Sequence, residues 1–277
     1  MSMAVVGPIE GFMLELASGH IFAVKGLVHP PGRVVAYPKY VPDPSGDRER
    51  GGRRYRKVGS LREALALLRG PLGRYVVHDP VLDEELCEPP LSEVVRTFNP
   101  VEALRQLRNS NRPSELALAT LEFLDEVLAR SNLRSSDVGV SGSLLVGLEG
   151  PGSDIDLVFY GRETCLETYE ALKSMREEGI TGPLGPRELE ATYLARSLDT
   201  PYDKAAFLAR EREKVLQGTF RGLPYSIRLV PAREPEPYGA VRFRKLGLAV
   251  VRAVVSDASG AIFTPCVYGL SDAELLE

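Results

Sequence analysis

Two short stretches near the middle of the chain decide the fold: residues 138–143 read VGVSGS, and residues 154–158 read DIDLV. The first stretch predicts a strand that runs into Gly142-Ser143, where glycine permits a tight turn and a close approach of a ligand to the backbone. The second stretch predicts another strand. Asp154 and Asp156 share one face of it, because alternate side chains of a strand point the same way.

Together, the two stretches predict a site for a phosphate and a metal ion. Residues 144–148 can begin a short helix whose first N–H groups attract a phosphate, and the Ser143 hydroxyl adds a hydrogen bond to the same anion. Two neighbouring carboxylates repel each other unless a cation lies between them, and hard oxygen ligands select Mg²⁺ or Mn²⁺. We therefore expect Asp154 and Asp156 to be the metal ligands and the catalytic residues, and Gly142 and Ser143 to hold nucleotide phosphates.

This arrangement resembles the nucleotidyltransferase superfamily, which includes the family X DNA polymerases and the CCA-adding enzymes. The signature of that superfamily is a Gly-Ser or Gly-Gly pair, a short spacer, and Asp-x-Asp or Asp-x-Glu between apolar residues. The resemblance covers roughly residues 110–230, and Ser153, just before the first aspartate, also fits the motif. It implies that the chain transfers a nucleoside monophosphate from an NTP to a hydroxyl acceptor, with Ser153 among the nucleotide-binding residues.

The chain departs from the family pattern at the place of a third carboxylate, which family members usually supply from a later strand. The strand predicted over residues 224–230 has Arg228 as its central polar residue. Arg228 can hold the triphosphate, or it can pair with an aspartate and displace the metal. Acidic residues that folding can bring to the site instead are Glu190, Asp203 and Glu211. The basic residue that often follows the Gly-Ser pair is also absent, so the alternative is a decayed transferase fold that binds a nucleotide or RNA without turnover.

The densest basic run lies within residues 48–57. A flexible arginine loop can neutralise phosphates and a tyrosine can stack on a base, so the run suggests contact with RNA or tRNA through Arg53, Arg54, Tyr55 and Arg56. A disordered and solvated loop is the alternative, because Asp43, Asp47 and Glu49 in and just before this segment dilute its charge.

The order of elements predicts an α+β fold: a nucleotidyltransferase-type mixed sheet with helices, flanked by β-rich accessory segments. We divide the chain into a β-rich domain at 1–98, a nucleotidyltransferase-like domain at 99–235 and a β-rich segment at 236–277. The two β-rich parts can form one barrel-like unit or remain separate. Strands are predicted over 11–16, 20–28, 33–41, 74–78, 137–141, 155–160, 246–256 and 261–268, with a hairpin over 219–230. Helices are predicted over 61–69 (with Ser60 as N-cap), 113–130, 163–178, 186–197 and 203–217, and connecting segments over 42–52 and 79–100.

The overall composition is that of a soluble globular protein, with 44% apolar and 26% charged residues. The net charge of −4 argues against a surface coated for nonspecific nucleic-acid binding. No apolar run reaches the roughly 18 residues of a membrane span, and no signal peptide is evident, so we expect a cytoplasmic protein without a membrane partner. Four Asn and two Gln indicate a thermophile protein, although 27 Arg against 7 Lys can equally reflect genome composition. The identity of the NTP, the acceptor and the oligomeric state stay open.

Overall fold

The computed structural model describes residues 5–197 and 203–276. The strands in these ranges are β1 Met13–Leu16, β2 Ile21–Val24, β3 Ala36–Pro42, β4 Arg48–Arg50, β5 Arg53–Lys57, β6 Val76–Asp79, β7 Glu84–Cys87, β8 Val94–Phe98, β9 Val138–Val140, β10 Ile155–Tyr160, β11 Thr181–Gly182, β12 Gln217–Phe220, β13 Leu223–Val230, β14 Val251–Asp257 and β15 Gly269–Leu275. The α-helices are α1 Leu61–Arg69, α2 Pro100–Arg108, α3 Glu115–Ala129, α4 Gly142–Val146, α5 Arg162–Glu177, α6 Pro186–Ser197 and α7 Lys204–Glu213. The predicted α+β class is confirmed.

The central sheet carries the two stretches that opened the sequence analysis. Its strand order is β11-β12-β13-β10-β9, with β10 parallel to β13 and the other pairs antiparallel. The alternation of apolar residues in β10 explains its position, because Ile155, Leu157 and Phe159 are buried against α3 and α5. The predicted strand over residues 155–160 and the hairpin that ends at residue 230 are confirmed.

The other face of β10 packs against the beginning of the chain. Val158 and Tyr160 share a buried cluster with Ile9 and Phe12, and the Tyr160 hydroxyl donates a hydrogen bond to the Glu10 carbonyl oxygen at 3.1 Å. By the same alternation, Asp156 and Asp154 belong to this face, two and four residues before Val158. The N-terminal segment therefore covers the part of the sheet that adjoins the aspartates.

That segment leads into an antiparallel sheet of order β4-β5-β3-β2-β1-β8. The first three predicted strands and the Ser60 cap of α1 are confirmed, since the Ser60 side chain accepts a hydrogen bond from the Glu63 N–H. Two predictions were wrong: the loop over 42–52 contains β4, and the connecting segment over 79–100 contains β7 and β8. These strands are charged or rich in proline and have no apolar pattern that would predict them. They form because neighbouring strands supply their hydrogen-bond partners.

The two C-terminal strands do not join the N-terminal sheet, although the N–H groups of Glu236 and Phe243 donate to the carbonyl oxygens of Leu27 and Val81. Within the described ranges, β14 and β15 pair only with each other, so no barrel-like unit forms from the two β-rich parts. The strand predicted over residues 261–268 was wrong, because this stretch is a turn that buries Phe263 in the core against α5 and β13. A further helix, α2, lies between the connecting segment and the helix predicted over 113–130, where no element was predicted, and Asn99 caps it. No helix in the described part of the chain is long and apolar enough to cross a membrane.

Candidate functional site

The turn at Gly142 lies directly against Asp156. Gly142 adopts φ +60°, and a Cβ placed on it would come within 1.8 Å of Asp156 Oδ2. A side chain at this position would therefore collide with the carboxylate as well as strain the backbone. The main chain is joined here too, because the Ser141 N–H donates to the Asp156 carbonyl oxygen at 2.8 Å.

Ser143 is the first side chain after this turn, and its hydroxyl has no protein partner. The residue is 3% exposed, and its Oγ is a buried atom that makes no hydrogen bond with any described group. A buried hydroxyl without a partner costs roughly 1–3 kcal/mol. A ligand oxygen that accepts its hydrogen bond would remove this cost.

Asp154 and Asp156 form a half-buried pair whose charges are not neutralised by direct contact. Within residues 5–197 and 203–276, neither carboxylate has a salt bridge. Desolvation by the surrounding protein raises the pKa of Asp156, and the neighbouring Asp154 carboxylate raises it further, while Arg228, Lys57 and Lys39 act in the opposite direction. A proton on Asp156, or a cation bound between the two carboxylates, would relieve this repulsion.

The donor set fits one Mg²⁺ or Mn²⁺ ion that is also bound by a nucleotide. In the described residues there is no group of three or more His, Cys, Asp or Glu side chains arranged to hold a metal. Mg²⁺ does not require such a cage, because it commonly binds one or two carboxylates and completes its shell with waters and substrate phosphates. Asp154 and Asp156 supply the two carboxylates.

Arg228 is a residue of β13, the strand next to β10. It pairs with an acidic residue that the sequence analysis missed. Its Nη1 is 3.4 Å from Oε1 of Glu10, a side chain that is only 2% exposed. Glu10 also receives hydrogen bonds from Lys25 Nζ at 3.1 Å and from the Gly26 N–H at 2.8 Å. No local signal could have found this contact, because Glu10 and Arg228 come together only when the N-terminal segment packs on the sheet.

The three acidic substitutes named from the sequence have other partners. Glu211 pairs with Arg196 and Lys214, Glu190 pairs with Lys204, and Asp203 caps α7 by accepting from the Ala206 N–H. None of them joins the aspartates in a three-carboxylate group within the described residues.

Two lysines of the N-terminal sheet complete the charged surroundings. Burial lowers the pKa of Lys39, and Lys57 lowers it further, whereas Asp156 and Asp154 act to raise it. Lys39 belongs to β3 and Lys57 to β5, so the site lies between the N-terminal sheet and the central sheet. The sequence analysis had placed Lys57 in a basic loop and had not singled out Lys39.

Ser153 stabilises the glycine-rich loop that precedes β10. Its Oγ accepts hydrogen bonds from Arg48 Nη1 at 2.9 Å and from the Gly150 N–H at 3.0 Å. Arg48 also donates to the Leu148 carbonyl oxygen at 2.7 Å. These contacts give Ser153 a structural role and argue against the predicted direct contact with a nucleotide.

The predicted nucleic-acid contacts lie on the β4–β5 hairpin rather than on a flexible loop. Arg53 and Arg54 are exposed, whereas Arg56 pairs with Asp43 and Glu63. Tyr55 is 2% exposed and packs in a core cluster, which corrects the prediction that it stacks on a base. Its position follows from strand alternation, which turns the Tyr55 ring inward while Arg54 points to solvent.

Comparison with known proteins identifies one similar sequence and no fold relative. No family model matches the chain, and no solved structure matches it. The chain is 27% identical over 267 residues to an uncharacterized protein of the archaeon Methanocaldococcus jannaschii, an alignment that covers 92% of this chain and 78% of that protein.

Proposed function

We propose that this protein is a metal-dependent nucleotidyltransferase, which moves a nucleoside monophosphate from an NTP to a hydroxyl acceptor. The observation that carries the proposal is the aspartate pair, which has no salt bridge among the described residues. Asp156 lies against Gly142, and the hydroxyl of the next residue, Ser143, has no hydrogen-bond partner in the same ranges. An Mg²⁺ ion bound with a triphosphate would satisfy both features. An ordinary structural turn requires neither two unpaired carboxylates nor a buried hydroxyl without a partner.

Each residue has a role that follows from its chemistry. Asp154 and Asp156 would hold the ion, which when bound supplies positive charge to the phosphates and lowers the pKa of an attacking hydroxyl. The Ser143 hydroxyl would donate a hydrogen bond to a phosphate oxygen, and the missing side chain of Gly142 leaves the space that the Asp156 carboxylate occupies. Lys39 and Lys57 offset further phosphate charge from the opposite wall of the site.

The reaction forms a bond between the acceptor oxygen and the α-phosphorus of the NTP. The bond from that phosphorus to the bridging oxygen breaks, pyrophosphate leaves with the electron pair, and the hydroxyl proton passes to water. RNA is one acceptor that the exposed Arg53 and Arg54 favour, because arginines attract a phosphate backbone.

A second candidate is a protein that binds a nucleotide or RNA without turnover. Arg228 in place of a third carboxylate, and the lack of a three-carboxylate group in the described residues, favour it. If the ligand is a nucleotide, both candidates use the same binding site, and only the transferase releases pyrophosphate.

Calorimetry with each of the four NTPs, with and without Mg²⁺, tests the binding site. We expect metal-dependent binding by the wild-type protein that weakens at least tenfold in the Asp154→Asn/Asp156→Asn double variant. The matched control is Glu49→Gln/Glu85→Gln, which removes two exposed carboxylates elsewhere. NTP binding that is unchanged in the aspartate variant, or indifferent to metal, contradicts the transferase and leaves the protein that binds a nucleotide or RNA without turnover. Pyrophosphate release in the presence of an acceptor then separates the enzyme from the binding protein.

A further inference from the structure

A second concave surface lies on the N-terminal sheet, outside the aspartate site. It is a cavity of about 450 Å³, within the roughly 300–1,000 Å³ range of small-molecule sites. Its lining includes the ring of Tyr37, the apolar side chains of Val58 and Leu61, and the cationic side chains of Lys25 and Lys39. The Nζ atom of Lys25 is 5.2 Å from the centre of the Tyr37 ring. An aromatic ring, an aliphatic wall and two ammonium groups suit a flat group that carries a negative charge.

The cavity connects to the aspartates through charged side chains. Lys25 contacts Glu10 at 3.1 Å, and Glu10 contacts Arg228 at 3.4 Å on the strand next to β10. Lys39, which also lines the cavity, is close enough to Asp154, Asp156 and Arg228 to interact with them electrostatically.

The charge balance of this connected region favours an anionic occupant. The four cations outnumber the three carboxylates by one, and a divalent ion at the aspartates increases the excess to three. Attraction of a polyphosphate to this region therefore follows from Coulombic interaction in a partly desolvated site, and Lys25 and Lys39 are the cations of the set that line the cavity itself. The cations are Lys25, Lys39, Lys57 and Arg228, and the carboxylates are Glu10, Asp154 and Asp156.

Charged contacts link the cavity to β13, one of the two strands that flank β10. β10 lies between β9, which leads to Gly142 and Ser143, and β13, which carries Arg228. If the triphosphate lies at Gly142 and Ser143, an in-line displacement requires the attacking oxygen to come from the side opposite the leaving pyrophosphate. The contacts of Lys25 and Glu10 link the cavity to Arg228 on β13, whereas Gly142 and Ser143 follow β9 on the other side of β10, an arrangement that such an approach requires.

We infer that this cavity is the acceptor pocket, and that it takes a nucleotide unit with a free hydroxyl, with the base against Tyr37 and a phosphate near Lys25 and Lys39. The inference rests on the proposed function, since only a transferase needs an acceptor. A free nucleotide and the 3′-terminal nucleotide of an RNA present the same chemistry, and both fit a pocket of this size.

The test first fills the NTP site, so that binding in the cavity is measured alone. Wild-type protein is saturated with Mg²⁺ and an α,β-methylene NTP analogue, and then titrated with nucleoside monophosphates. In parallel it is titrated with a short single-stranded RNA that ends in a 3′ hydroxyl, and with the same RNA blocked by a 3′ phosphate. We expect at least one probe to bind, and to bind at least tenfold more weakly to Tyr37→Leu, which removes the ring but keeps apolar volume. The Tyr37→Phe variant retains the ring and should bind like the wild type.

Binding of Mg²⁺ and the analogue should be the same in both Tyr37 variants, and their thermal unfolding should match that of Tyr268→Leu, an exposed-tyrosine control. If a monophosphate binds, the acceptor is a free nucleotide; if only the unblocked RNA binds, the acceptor is an RNA end. If the analogue binds but no probe depends on Tyr37, the acceptor pocket is overturned and the proposed function stands. If the analogue does not bind while a probe still depends on Tyr37, the proposed function fails and with it the acceptor role.

Discussion

The Ser143 hydroxyl is enclosed by protein and yet makes no hydrogen bond, although almost every buried polar group in a folded protein has a partner. Such an atom is expected where a protein gives up stability in favour of a ligand. It follows the turn that touches Asp156, so the proposed nucleotide would meet the hydroxyl and the carboxylates together.

Replacing Ser143 with alanine should therefore separate stability from binding. In Ser143→Ala, thermal unfolding should be unchanged or higher, because the unsatisfied hydroxyl is gone. The affinity for Mg²⁺ and an NTP should fall about tenfold or more, since a hydrogen bond to a charged group contributes roughly 1.5–3 kcal/mol. Ser256→Ala, on the exposed C-terminal hairpin, should change neither quantity. A variant that is less stable but binds the NTP normally would mean that the hydroxyl serves the fold alone.

The β6–β7 hairpin contains a second buried acidic pair. Oδ1 of Asp79 accepts from the N–H groups of Val81 at 2.7 Å and Leu82 at 2.8 Å, and from the Tyr238 hydroxyl at 3.0 Å. Oδ2 of Asp79 and Oε1 of Glu88 are both buried, and neither has a hydrogen-bond donor among the described residues. A proton on Glu88, shared with Asp79, satisfies both atoms. Burial, and then the neighbouring Asp79, raise the pKa of Glu88 from 4.5 to about 7.

This pair should make stability fall as the pH rises from 4.5 to about 7. In that window the unfolded chain has lost the Glu88 proton while the folded chain retains it, so stability that is complete below pH 4.5 is lost as the pH passes the folded pKa. The loss should amount to at most about 3 kcal/mol. In Glu88→Gln, whose amide donates permanently to Asp79, urea unfolding at pH 5 and pH 8 should show a smaller difference than in the wild type. The exposed Glu85→Gln variant should keep the wild-type difference. Equal pH dependence in all three proteins would show that Glu88 titrates normally.

At the scale of the whole molecule, the C-terminal hairpin is held by its turn rather than by its strands. Phe263, at 6% exposure, lies in the core of the central domain, and the Thr264 N–H donates to the Leu229 carbonyl oxygen at 2.7 Å. The Arg162 guanidinium lies 5.0 Å from the centre of the Phe263 ring. By contrast, most side chains of β14 and β15 are exposed, and a two-stranded hairpin alone is marginally stable.

Removing the Phe263 ring should therefore release the hairpin. Truncation of a buried phenylalanine to alanine costs about 3–5 kcal/mol, enough to raise the population of the undocked segment by about 100-fold or more. In Phe263→Ala, limited proteolysis should cut within residues 246–276 at least tenfold faster than in the wild type, and a fragment that contains the central sheet should persist. Phe243→Ala, a change of the same size at an exposed residue, should be cut at the wild-type rate. Cleavage spread over the whole chain would show instead that the hairpin belongs to the global folding unit.

Local signals in the sequence determined the framework of the molecule and half of the candidate site. The strand before Gly142, the alternation that places Asp154 and Asp156 on one face, and the Ser60 cap are present in the structure, because turns, alternation and caps act over a few neighbouring residues. These features need no knowledge of distant parts of the chain.

Only the tertiary structure decided what surrounds the aspartates. It pairs Glu10 with Arg228, turns the Tyr55 ring inward and brings Lys39 to the carboxylates from another sheet. These contacts join residues more than one hundred positions apart, or depend on which face of a strand meets a neighbour. They follow from the packing of apolar faces, as when Ile9 and Phe12 cover Val158 and Tyr160. That packing also brings together the charged side chains of the same segments.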